Sequence, residues 1–92
     1  MKTLQPLIDA KLPGTYVDTS GALCVMIGPY LISCKVDTDD TYLIETDRLN
    51  SQDDFGLCIR TASAPCYKTA IQEFRWAIRK TYTDAFGKGD RT

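Results

Sequence analysis

Histidine is absent from this 92-residue chain. The commonest general base and the commonest zinc ligand are therefore missing together. Catalytic sets that pair serine or cysteine with histidine are excluded on the same ground. No apolar run approaches the ~20 residues that span a bilayer. The start, Met1-Lys2-Thr3-Leu4-Gln5-Pro6, lacks the apolar stretch of a secretory leader before Asp9. A cytosolic location is expected, with reduced cysteines. Glycine-rich phosphate loops are missing too, since Gly87-Lys88-Gly89 follows the last predicted helix and precedes no element.

There is also no Cys-x-x-Cys. Cys24, Cys34, Cys58 and Cys66 lie 10, 24 and 8 residues apart, which provides no paired close ligands for a metal. Three of them fall in strand patterns, where cysteine packs as a small apolar residue. Cys66 lies near a predicted helix N-terminus, where a thiolate is favoured, but no base stands beside it in sequence. Asp37-Thr38-Asp39-Asp40 opens like a calcium loop. It then lacks the glycine at the sixth position and the glutamate at the twelfth, so a solvated turn is the reading. No metal, cofactor or small-molecule substrate is expected, and no catalytic set emerges; the chain reads as non-enzymatic.

What is present is one domain, 1–92, with a polar tail over 88–92. The most periodic stretch runs from Ser63 to Ala85 or Phe86. Tyr67, Ala70, Ile71, Phe74, Ala77, Ile78, Thr81 and Tyr82 recur at three- and four-residue steps. Ser63 is the expected cap, Pro65 suits the first turn, and Gly87 ends the helix. A short first helix is expected over Thr3–Leu12, stopped by Pro13-Gly14. Strands are expected over Thr15–Asp18, Ala22–Ile27, Tyr30–Val36, Thr41–Thr46 and Phe55–Thr61, with Asp47–Asp54 a loop. In the last strand Phe55, Leu57 and Ile59 alternate with Gly56, Cys58 and Arg60. Hairpin spacing implies an antiparallel sheet. The fold class is therefore α+β: a two-layer domain with a four- to five-stranded antiparallel sheet covered by a long C-terminal helix and a short N-terminal one.

The net charge of −1 hides an uneven distribution. Seven acids and one base, Arg48, lie between Asp37 and Asp54, whereas six bases and three acids follow Cys66. Phe74, Ile78 and Tyr67 mark the expected buried centre of the long helix, and Trp76 points to the opposite side, among Lys68, Gln72, Arg75, Arg79 and Lys80. An aromatic framed by bases recurs on binding surfaces. Two plainer readings stay open: the tail with Phe86 covers Trp76, or Trp76 lies flat on Arg79.

Met1 to Gly21, MKTLQPLIDAKLPGTYVDTSG, together with the 92-residue length, resembles the phage-encoded anti-CRISPR proteins of the type I-F group. The group shares no motif, so no site residue carries over from a pattern. The resemblance implies a non-enzymatic inhibitor in the cytoplasm of the bacterial host. It would bind the multi-subunit CRISPR effector, its Cas proteins with the guide RNA backbone as a further contact, and block target DNA hybridisation. The residues set apart by their charge and position are then two contact surfaces: Lys68, Arg75, Trp76, Arg79 and Lys80 on one, and Asp37, Asp39, Asp40, Asp47, Asp53 and Asp54 on the other. The alternative is a small nucleic-acid-binding regulator using the basic, Trp-bearing helix face. A third reading is an oligomerising phage protein with Ala22–Ile27 at a subunit interface.

Overall fold

A computed structural model describes residues 2–49 and 56–87. The elements run α1 (Gln5–Asp9), β1 (Tyr16–Val17), β2 (Leu23–Ile27), β3 (Tyr30–Val36), β4 (Tyr42–Leu49), β5 (Gly56–Ala64) and α2 (Tyr67–Phe86). The strands form one antiparallel sheet in the order β1-β2-β3-β4-β5, so every strand pairs with its neighbour in sequence. Local turns explain this simple order. Gly28-Pro29 closes β2 onto β3 in two residues, with Gly28 at φ 57°. A positive φ at the first loop residue is what a tight hairpin of that hand requires. At Asp37–Thr41, the Asp37 N–H donates to the Thr41 carbonyl at 2.8 Å. Asp40 takes the left-handed φ of 64°, which aspartate tolerates better than most residues.

Period-two alternation sends one set of side chains to the helices. Leu23, Val25 and Ile27 of β2, Ile32 and Cys34 of β3, and Tyr42 and Ile44 of β4 are buried in one cluster. Leu7, Leu12, Ala70, Phe74 and Ala77 join them from the helical side. Both helices therefore lie on the same face of the sheet. Along α2 the buried residues are Ala70, Phe74, Ala77 and Thr81. Two alanines in that row let the helix approach the strands closely, and Phe74 fills the space between.

Several boundaries differ from expectation. The first helix is only Gln5–Asp9. Pro6 suits its first turn, and Lys11 turns the chain at φ 51° before Pro13-Gly14. β4 continues through Asp47, Arg48 and Leu49, which had read as loop. β5 runs on to Ala64, absorbing Ser63, so the cap of α2 is Cys66 and Pro65 stands outside the helix. Tyr67 is 43% exposed rather than central to the core. A bulge also breaks the alternation of β5: Thr46 pairs with Arg60 and Asp47 with Cys58, leaving Ile59 as the extra residue. After the bulge, regular alternation keeps Arg60 on the helix-facing side with Ala62 and Ala64, so Arg60 and Leu57 fall on one face instead of opposite faces.

The Ala22–Ile27 run is covered by its own chain. Leu23, Val25 and Ile27 meet the helices. Cys24, on the far face, is buried beside Asp18, whose carboxylate lies 3.5 Å from its Sγ. Only Met26 of this run is exposed.

Two surface carboxylates tie the chain ends of the sheet. Asp18 accepts from the Ser20 hydroxyl and N–H and from the Ala22 N–H at 2.7–3.0 Å. Asp40 accepts from the Lys2 N–H at 2.9 Å and pairs with its ammonium at 3.4 Å. The Ser20 hydroxyl, first among these, holds Asp18 below its ordinary value of 3.8, and the Lys2 N–H does the same for Asp40. A carboxylate with a depressed folded-state pKa stabilises above its unfolded value, and that contribution is lost as pH falls through the lower folded value. The melting temperature should therefore decline as pH drops through and below 3.8. An Asp18→Asn/Asp40→Asn variant should show a flatter decline across the same acid series of thermal melts.

Candidate interaction face on the long helix

The long helix presents its outward side because the inward row is fixed by Ala70, Phe74, Ala77 and Thr81. Arg75, Trp76, Arg79 and Lys80 fall between those positions and are all exposed. Trp76 is 50% exposed. Among the described residues neither Phe86 nor Arg79 covers it, and the tail over 88–92 lies outside them. Phe86 packs on Tyr82, with ring centroids 4.7 Å apart. Trp76 instead receives Arg60 from β5, whose guanidinium carbon lies 5.6 Å from the indole centroid. A cation over an aromatic face is attracted by the ring quadrupole, so the inner face of the indole is fixed and its outer half is uncovered by the described residues.

Asp84 anchors this arrangement from about two helical turns beyond Trp76. Its Oδ2 lies 3.4 Å from Arg60 Nη2, and its Oδ1 lies 3.6 Å from Lys80 Nζ. These partly exposed pairs position the side chains more than they stabilise the fold. The charges on this face are thus unequal. Arg60 and Lys80 share Asp84, whereas Arg75 and Arg79 have no ion-pair partner among the described residues.

Two grooves flank Arg79. One, of about 240 Å³, is lined by Trp76, Arg79, Lys80 and Thr83. The other, of about 420 Å³, runs between α2 and the end of the first helical segment and is lined by Leu12, Pro13, Arg75, Ile78, Arg79, Tyr82 and Thr83. Its walls are largely apolar, with two arginines and a tyrosine at the rim. The helix thus offers two adjoining hollows with cations between them, suited to an anionic group that also carries an apolar or planar part. Lys68 belongs to the same outer side but stands in the first turn. At 1.5 Å rise per residue it is about 10 Å along the axis from Arg75, and it lines neither groove.

The described residues of the predicted acidic surface do not form one patch. Asp37, Asp39 and Asp40 sit at the β3–β4 turn, occupied with local bonds. Asp37 Oδ1 accepts from the Thr38 N–H at 2.8 Å, Asp39 Oδ1 from the Thr41 hydroxyl at 2.6 Å, and Asp40 holds Lys2. Asp47 lies at the other end of β4, about 17 Å of strand beyond Tyr42. It pairs across to Leu31 and Cys58 on the face away from the helices. Asp53 and Asp54 lie outside the described residues.

Sequence reasoning missed Arg60 and Asp84. A bulge hid Arg60, since strict alternation placed it on the far side. The signal for Asp84 was available: it stands four residues after Lys80, the spacing of a helical ion pair. The cysteines divide into two kinds. Cys24 and Cys34 are buried, and burial pushes their thiols up to about 11 and about 12. Cys58, expected in the core, is exposed on β5, and Cys66 is exposed at the cap of α2. The Thr69 hydroxyl, 3.4 Å from the Cys66 sulfur, draws that thiol below its usual value. No base lies beside it in the described bonds, and among the described residues no three His, Cys, Asp or Glu side chains gather into a metal-holding group. Likewise, no described helix is long and apolar enough to cross a membrane. No family model, curated protein or solved structure matches the chain.

Proposed function

We propose that this protein is a non-enzymatic inhibitor that docks the outer face of α2 on a nucleic-acid-guided CRISPR effector of the type I-F class and blocks target DNA from pairing with the guide. The observation that carries the reading is the half-exposed Trp76, braced from beneath by Arg60 and flanked by Arg75 and Arg79, which have no ion-pair partner among the described residues. A rigid aromatic among cations is the composition of an energetic hot spot. The resemblance of Met1–Gly21 and the chain length to type I-F anti-CRISPR proteins supports the choice of partner. Asp47 and the Asp37–Asp40 turn, being at opposite ends of β4, would act as separate contacts with basic surfaces of the Cas subunits.

Co-purification with the purified effector tests the proposal. The expected result is a stoichiometric complex and a loss of target-DNA binding in a gel shift at equimolar inhibitor. Free elution of the protein with target binding unchanged would sink it. Arg75→Glu/Arg79→Glu should abolish both effects while leaving the melting temperature nearly level, because neither arginine is paired within the described fold.

The same two exposed arginines favour a second reading, direct binding of RNA or single-stranded DNA with Trp76 or Tyr82 stacked on a base. It predicts binding to labelled oligonucleotides that weakens steeply as salt rises. Flat anisotropy at low salt eliminates it and leaves the first reading standing.

A further inference from the structure

We propose that the free edge of β5 is a self-association surface, through which two copies pair antiparallel and join two five-stranded sheets into one of ten strands. The two edges of the sheet are built differently. β1 is two residues long, while β5 is nine. Short edges, prolines and outward charges are the usual means of preventing edge pairing. β5 contains no proline, and its one charged residue, Arg60, is drawn in to Asp84 and Trp76. Among the described residues, no strand pairs with its far side. Its backbone donors and acceptors there remain open to a further strand.

The bulge narrows the register. It distorts the ladder at Cys58–Ile59, whereas Arg60–Ala64 pairs regularly with Thr46–Tyr42. That regular half reads Arg60-Thr61-Ala62-Ser63-Ala64, short and uncharged apart from Arg60, and Pro65 ends it. A two-fold axis through Ala62 sets Thr61 opposite Ser63 of the second copy and Arg60 opposite Ala64. The two guanidinium groups are thereby kept apart, and the hydroxyl pairs are of a kind that stabilises cross-strand neighbours.

The occupant is a second copy because the edge is neutral and self-complementary in this register. Nothing in its side chains selects a charged partner, and a net charge of −1 sets little repulsion between copies. Five paired residues span only about 17 Å. The contact falls below the ~1,200 Å² of lasting complexes, so the dimer is weak and concentration-dependent. A two-fold perpendicular to the sheet keeps both helical layers on one side. The pair would then show two Trp76 faces to the same partner, a gain in avidity independent of what that partner is.

Sedimentation equilibrium under reducing conditions, from about 1 µM to about 1 mM, covers weak affinities. The apparent mass should climb from one 10.3 kDa chain towards twice that value. Thr61→Lys/Ser63→Lys should remain monomeric throughout with an unchanged melt, since both side chains are exposed. Mixing it with Thr61→Glu/Ser63→Glu should restore a mixed dimer that neither forms alone. A constant monomer mass for the unaltered protein would overturn the proposal. So would a lysine variant that still dimerises, or an edge that binds an unrelated extended peptide while the protein stays monomeric.

Discussion

Replacing Phe74 with alanine should destabilise the fold by about 3–5 kcal/mol, the range for a large aromatic removed from a packed core. Phe74 is 0% exposed and is the largest fully buried side chain among the described residues. It stands at the centre of α2's inward row, with Ala70 and Ala77 on either side. Those alanines cannot move in to fill the gap, so the cavity persists. A domain of this size has a total stability at the low end of about 5–15 kcal/mol. The loss is thus a large share of the whole. At roughly 4–8 °C per kcal/mol for a domain of this length, the melting temperature should fall by on the order of 20 °C. Circular dichroism melts measure it directly. Leu57→Ala provides the contrast, since Leu57 is 70% exposed and its loss should change stability by less than about 0.5 kcal/mol. A Phe74→Ala protein melting within a few degrees of the parent would mean that α2 is not held by this residue.

Trp76→Ala should have the opposite profile. Half of the indole is already in water, and its main contact is the Arg60 guanidinium. Removing it should reduce stability by no more than about 1 kcal/mol, the scale of a solvent-accessible cation–π contact. If the outer face of α2 is the docking surface, affinity should fall by about 2 kcal/mol or more, roughly 30-fold. The two numbers move independently, and their ratio is the test. A drop in stability of several kcal/mol with unchanged binding would assign Trp76 to the fold. Arg60→Ala sharpens the comparison. Losing the brace should weaken binding by less than losing the ring, because the outer half of the indole remains in place.

The layered fold was legible because its signals are local and agree with one another. Gly28-Pro29, Ser20-Gly21 and the Asp37–Asp40 run are turns on chemistry alone, and the strands between them can only pair with neighbours. The helix was legible from its period. Its start was not. Ser63 and Pro65 form a good initiation signal, but pairing of Ser63 with Leu43 across the sheet won, and the helix waited for Cys66. Likewise Asp47 and Arg48 are polar enough to read as loop, yet β3 offers Leu31 and Tyr30 as ladder partners. The outer face of α2 was read correctly as the side bearing Trp76 and the bases. What lies beneath the indole was not legible, because it depends on a bulge that no residue of β5 announces. The separation of Asp47 from the Asp37–Asp40 turn was not legible. Nearness in sequence across a hairpin arm is no nearness in space, since a strand carries its two ends apart.

The uneven burial of the four thiols makes the protein its own recorder of partial opening. Cys58 and Cys66 are exposed in the folded state and should meet an alkylating reagent, whereas the buried Cys24 and Cys34 should not. The two hidden thiols lie behind different doors. Cys34 belongs to the cluster under the helices, and Cys24 is sealed on the other side by the Asp18 turn and β1. Lifting the short edge strand exposes the one, and release of α2 exposes the other. Timed alkylation, with the mass and site of each added group read in turn, would rank those two openings against each other in a single native sample.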